Sequence, residues 1–253
     1  MRDASFCDLY ASTEYSRSFR NLSVTGWYSG RKAMCSQYIN LPFTPEQFFE
    51  VFAVYNTAVW PMQAFLYVAA FAAFLLVFRK RGYSGPAISG ILAFYWVWMG
   101  VAYHWIFFSP VNPAAKTFGA FFTLQGILIF YEGLIRRRLS FAYINGLKTF
   151  SGFVFILFGT VIYPVLGDYL GHVYPYSPTF GLPCPTTILT FGFFLLAIGL
   201  PKYLLIIPLI WSAIGSFAAL ALCVAEDISL MIAGIVTLVL VFTRSEKGEG
   251  VNP

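Results

Sequence analysis

In a chain of 253 residues, 58% hydrophobic and only 11% charged positions exclude an ordinary soluble domain, in which about a quarter of residues carry charge. The net charge of +5 sits in short clusters at the ends of apolar runs, so nucleic acid is excluded as a partner and the lipid bilayer is implied. The runs lack the alternation of barrel strands, and an all-α polytopic membrane helix bundle is the predicted fold class.

Residues 1–40 contain no apolar segment of a signal peptide and no periodic pattern. They read as a poorly ordered amino-terminal tail, with Met34 as an alternative start. From Phe43 the local signal sharpens. Thr44 is placed to cap a helix, Pro45 suits its first position, Gln47 completes a capping box, and Phe43 and Phe48 have the spacing of a hydrophobic staple. The resulting helix, 45–55, sets Phe48, Phe49, Phe52 and Tyr55 against Glu46 and Glu50, the amphipathic pattern of an interfacial helix.

Seven apolar segments of near-spanning length follow, at 58–78, 87–109, 117–135, 149–167, 186–200, 203–223 and 228–243, the fifth being short. Arg79 to Arg81, Arg136 to Arg138 with Lys148, Lys202, and Arg244 with Lys247 fall in alternate connections. By the positive-inside rule those connections are cytoplasmic, so the amino terminus is outside and a short tail, 245–253, is cytoplasmic. Residues 41–244 then form one transmembrane domain. A decapeptide echo, TFGAFFTLQG from Thr117 and TFGFFLLAIG from Thr190, suggests repeated hairpins, against chance in a small apolar alphabet.

The connection 172–187, HVYPYSPTFGLPCPTT, carries four prolines and reads as a stiff, non-helical outer loop. Pro164 and Pro208 predict kinks. Glu132, four residues before Arg136, reads as a local ion pair. Tyr103, Trp105, Tyr163, Tyr169, Tyr174, Tyr176 and Trp60 read mostly as an aromatic belt at the outer boundary. The last span has no lysine, which excludes a retinal Schiff base, and the span centres are empty of charge.

Ligand or metal candidates are His104, His172, Cys184, Glu226 and Asp227, which the topology brings toward one outer face. Imidazole, thiolate and carboxylate are the groups that bind zinc or copper, although no pair has the spacing of a metal motif. Each residue also has a structural reading: His104 bonded to a carbonyl or tyrosine, Glu226 and Asp227 as caps of the last helix, and Cys184 as a filler or a disulfide partner of Cys35. No catalytic motif and no cofactor signature is present.

LPFTPEQFF with YNTAVWP, WMGVAYHWIFFSPVNPAA, YPVLG with GHVYP, and PTFGLPCPTT together resemble a bacterial multi-pass membrane family, domain of unknown function six-zero-six-four. The resemblance covers roughly 41–244. It implies a bacterial inner (cytoplasmic) membrane location and no activity. The expected function is binding or transport of a small ligand or metal ion at the periplasmic face. The ligand would enter between the outer ends of spans two, four and six, where His104, His172 and Cys184 contact it. The alternative is a structural or assembly subunit, docking a membrane partner or a second copy through the outer loop.

Overall fold

A computed structural model describes residues 42–79, 81–222 and 224–243. The amino-terminal tail, the alternative start, Cys7, Cys35, Cys223 and the carboxyl-terminal tail lie outside the described residues. The chain is mostly helical, and a helix stands in each predicted apolar segment.

Helix α1 (Pro45–Ala58) forms as expected: the Gln47 amide donates to Thr44 Oγ1 at 3.3 Å, the Thr44 amide to Gln47 Oε1 at 2.9 Å, and the rings of Phe43 and Phe48 stack at 5.9 Å. It buries Phe49, Phe52 and Tyr55 and runs three residues further than predicted, to Ala58. Removing the cap with Thr44→Ala is expected to cost about 1 kcal/mol, read as faster amide exchange in the first turn of α1; unchanged exchange there counts against the cap.

Helix α2 (Met62–Val77) leaves α1 at a bend of 83°. Next come α3 (Ser84–Trp98, continued as π-helix over Met99–Phe108) and α4 (Ala115–Phe130, with π-helix Tyr131–Ile135). The fifth segment, α5, is Leu147–Leu157, π-helix Phe158–Ile162 and Tyr163–Tyr169. Then follow α6 (Pro183–Leu196), α7 (Ile206–Leu222, after a 3₁₀ turn Lys202–Leu205) and α8 (Ile228–Phe242, after a 3₁₀ turn Ala225–Asp227). By length and composition α3, α4, α5 and the α8 segment are each long and apolar enough to cross a membrane, the bent α1–α2 pair makes up to five, and α6 and α7 are shorter apolar helices.

The prolines act differently from expectation. Pro183 and Pro185 lie inside α6, at its beginning, where no intrahelical partner exists for their missing N–H, so the stiff loop ends at Leu182 and its last five residues are helix. Pro208 likewise lies in the first turn of α7. Pro164 follows the π-helix of α5, a widened stretch in which the ladder is already shifted. The decapeptide echo marks unlike places: Thr117 is in the first turn of α4, whereas Thr190 is mid-α6 and its closing Gly199 lies beyond that helix with φ 74°.

Helix α6 is the centre of the bundle. Every residue of it is buried except the partly buried Cys184, and it packs against α5, α7 and α8. Two of its threonines turn back on their own helix, and the Thr186 hydroxyl is buried without a partner. Thr187 donates to the Pro183 carbonyl at 2.7 Å, Thr190 to the Thr186 carbonyl at 2.8 Å, and Trp96 Nε1 of α3 to Thr190 Oγ1 at 3.1 Å. Outward, Phe65, Val68, Phe71, Phe150 and Ile235 are exposed, an apolar surface consistent with lipid. At the end holding the basic clusters, β1 (Ser140–Phe141) pairs antiparallel with β2 (Ala197–Ile198), and the buried Glu132 carboxylate meets Arg136 at 3.2 Å and Arg138 at 3.8 Å. The expected i,i+4 pair is therefore present, with a second guanidinium added.

The loop 171–182 is fastened to the α1–α2 corner by an amide network that hydropathy alone does not reveal. Asn56, fully buried, donates from Nδ2 to the carbonyls of Pro175 at 2.6 Å and Ser177 at 2.9 Å. Its Oδ1 accepts from Gln63 Nε2 at 2.7 Å and from Thr179 Oγ1 at 2.7 Å. Tyr55 donates to the Gly181 carbonyl at 3.3 Å and itself accepts from Trp98 Nε1 at 2.8 Å. Gly181 has φ 99°, and a Cβ there would lie 2.5 Å from Leu66 Cδ1, so glycine is required twice over.

Candidate functional site

Four of the five candidate residues gather beneath this loop. The turn Ala225–Asp227 points both acids inward, and both are buried, Glu226 at 1% and Asp227 at 5% exposure. Asp227 stands at the N-cap position of α8, at the helix end where the acids were expected, but its side chain makes no capping hydrogen bond. Glu226 Oε1 lies 2.6 Å from His172 Nδ1, and the face of His172 stacks on Phe49 of α1 with ring centroids 4.7 Å apart. The Tyr163 hydroxyl of α5 donates to Asp227 Oδ1, and the Cys184 thiol at the start of α6 interacts with the same carboxylate. Ser216 of α7 donates to the Asp227 carbonyl at 3.2 Å. A Cβ on Gly215 would lie 3.7 Å from both Cys184 Sγ and Trp211 Nε1, which brings the indole to the edge of the group.

His104 stands apart from these four. It is completely buried in the π-helical part of α3 among Phe108, Phe118, Phe122 and Trp211, with ring centroids 4.6 to 6.3 Å away, and neither ring nitrogen has a hydrogen-bond partner. The expected carbonyl or tyrosine partner is absent among the described residues. Trp211 Nε1 also meets no oxygen or nitrogen partner, so three polar atoms share an otherwise aromatic cage, while the indole interacts with the Cys184 thiol. Tyr103 and Tyr163, read as belt residues, are buried in the bundle, whereas Trp60, Trp105, Tyr169 and Tyr174 are exposed.

Among the described residues no three His, Cys, Asp or Glu side chains are arranged to hold a metal ion. The kernel is a pair, Glu226 with His172, beside a trio, Asp227 with Tyr163 and Cys184, and not a coordination shell. A cavity of about 550 Å³ lies elsewhere, walled by apolar residues including Val59, Phe94, Trp98, Val101 and Phe107. No kernel residue lines it.

The charge count is the kernel's main chemical property. Among the described residues the one ion pair made by either carboxylate is that of Glu226 with His172. Two buried acids therefore share one imidazole, and full ionisation of all three leaves one negative charge uncompensated. A buried charge without a partner is strongly disfavoured. Sequence reasoning found the acids and the histidine. It missed Tyr163, Phe49 and Trp211 as members of the site; for Tyr163 the nearest signal was an aromatic side chain at the same expected depth as the acids.

No curated protein and no solved structure matches the chain. A family model does, over residues 45–249, from the capped α1 through every helix of the bundle. This chain is accordingly a member of the Family of unknown function (DUF6064).

Proposed function

We propose that the chain is a multi-pass membrane protein of seven apolar helices, amino terminus outside and carboxyl terminus cytoplasmic, that binds one small cation at its outer end. The alternating basic connections support the orientation. The observation that carries the function is the juxtaposition of Glu226 and Asp227, both buried, with His172 as their sole counter-charge among the described residues. Ionisable groups buried among membrane helices are costly, and a site that keeps two acids for one base is made to accept a positive charge. The inner side of the loop is already occupied by Asn56 and Gln63 of its own chain, which favours a lid over the binding site rather than a docking edge for another protein.

The test is thermal unfolding of the purified protein from roughly pH 5 to roughly pH 9, with and without sodium or potassium chloride, for the wild type and Asp227→Asn. A cation held by the folded kernel and not by the unfolded chain stabilises by linkage, and a folded state that binds more protons loses stability as pH rises. Wild type is expected to gain Tm from acid or from one of the two salts, and Asp227→Asn to lose that response. A wild-type Tm indifferent to all three sinks the reading.

A further inference from the structure

The kernel also says which cation it suits. Glu226 Oε1 is engaged by His172 and Asp227 Oδ1 by Tyr163, while Glu226 Oε2 is buried without a partner. The remaining neighbours of the two acids are a thiol, a phenol and an imidazole. An alkali or alkaline-earth ion needs a shell of oxygens, and sulfur and imidazole nitrogen are poor members of one. A proton needs a single acceptor. Two buried carboxylates in one site with a single counter-charge are a common way to hold one.

We propose that Glu226 and Asp227 together hold one exchangeable proton, delivered from the outer side through the His172 ring. This inference rests on the cation-binding reading and specifies its ligand. The groups facing the pair come from every element packed on it: His172 from the loop, Tyr163 from α5, Cys184 from α6, and Tyr103 from α3, which faces Asp227 and Cys184. None but His172 gains a positive charge. His172 is also the member of its pair that keeps contact with the exterior, its side chain 7% exposed against 0% for Glu226.

The delivery step balances within the imidazole. A proton from outer water binds Nε2 while the proton on Nδ1 passes across the 2.6 Å contact to Glu226. The ring is then neutral with its proton on Nε2 and the glutamate is the carboxylic acid; once that proton has moved on to Asp227, a second proton taken from outer water restores the imidazolium that pairs with Glu226, so the loaded kernel is neutral. From there the proton is shared with Asp227, so the two acids titrate as one unit with no fixed assignment between them. The unpartnered Oε2 is the free acceptor that such sharing needs.

Charge counting makes the test sharp. Infrared difference spectra of the detergent-purified protein, recorded across the same pH range, read protonated buried carboxyl groups directly through their carbonyl stretch. Wild type is expected to show one titrating carboxyl. Either amide variant, Glu226→Gln or Asp227→Asn, leaves one acid matched by one imidazole and is expected to abolish the titrating band. His172→Gln leaves two acids with no base and is expected to raise its amplitude about twofold. An Asp227→Asn protein that keeps the full band overturns the proposal, because the signal then belongs to another carboxyl. If wild type shows no titrating band while sodium or potassium raises its Tm, the proton is wrong and the cation reading stands. If neither response appears, both fall.

Discussion

Replacing Gly192 with leucine is expected to leave no correctly folded protein. Gly192 lies where α6 crosses α5, and a Cβ added there would sit 2.7 Å from the Gly152 carbonyl oxygen, 2.8 Å from Ile156 Cγ1 and 3.0 Å from the Ile156 amide. Gly152 faces it reciprocally, its own Cβ position being 2.9 Å from the Gly192 carbonyl. Backbone, not a flexible side-chain end, occupies the space, so the helices must separate to admit any side chain. Overpacking of this kind costs about 1–3 kcal/mol for a few added atoms, and a whole leucine against backbone exceeds that, set against a total stability of about 5–15 kcal/mol. Gly192→Ala is expected to lower Tm measurably and Gly192→Leu to remove the monodisperse peak in size-exclusion chromatography. Gly82→Leu is the control, since a Cβ there meets nothing within 4 Å. A Gly192→Leu protein that behaves like Gly82→Leu would show that α5 and α6 do not make this contact.

Asn56→Asp is expected to release the outer loop in a pH-dependent way. The substitution keeps an acceptor for Gln63 and Thr179 but turns the donor that served the Pro175 and Ser177 carbonyls into a second oxygen, at contacts of 2.6 and 2.9 Å. Each buried group left unpaired costs about 1–3 kcal/mol, and an ionised aspartate facing two carbonyls costs more. The neutral acid still donates once, so the folded loop holds the proton more tightly than the unfolded chain does. Stability is therefore lost as pH rises. Amide exchange over 173–180 should be near the wild-type rate in acid and increase steeply above it. Asn56→Leu, which removes all four bonds without adding charge, should raise exchange at every pH. Wild-type exchange in Asn56→Asp across the range would exclude the network as the loop's anchor.

What could be read from the sequence was what is decided locally. The capping box at Thr44 and Gln47 and the Glu132–Arg136 pair each depend on residues three or four positions apart, and both are present. Hydropathy locates the helices but not their faces, so it places Tyr103 and Tyr163 in a boundary belt although both are inside the bundle. Prolines misled for a related reason: a proline in a loop and a proline in a helix's first turn satisfy the same local rule, and only tertiary packing of Pro183–Leu196 decides for helix. The kernel depends on pairings across 54 residues, Glu226 with His172, and 64 residues, Asp227 with Tyr163. No periodicity records such a pairing. His104 was expected to be bonded and is instead enclosed by aromatic rings from three helices, an arrangement invisible until α3, α4 and α7 are set side by side.

The burial of α6 has a consequence for how the molecule is made. Fourteen helical residues reach about 21 Å, less than the roughly 30 Å of a bilayer's hydrocarbon core, and almost none of them is open to the surroundings. Such a segment is poorly suited to partition into lipid by itself as it emerges during synthesis. Its threonines and paired prolines find their solvent in α5 and α8, and α8 is translated after α6. The middle of this protein is therefore completed late: until α8 arrives to enclose α6 and deliver Glu226 and Asp227 to His172 and Tyr163, neither the central helix nor the acid kernel has the neighbours that make its burial tolerable.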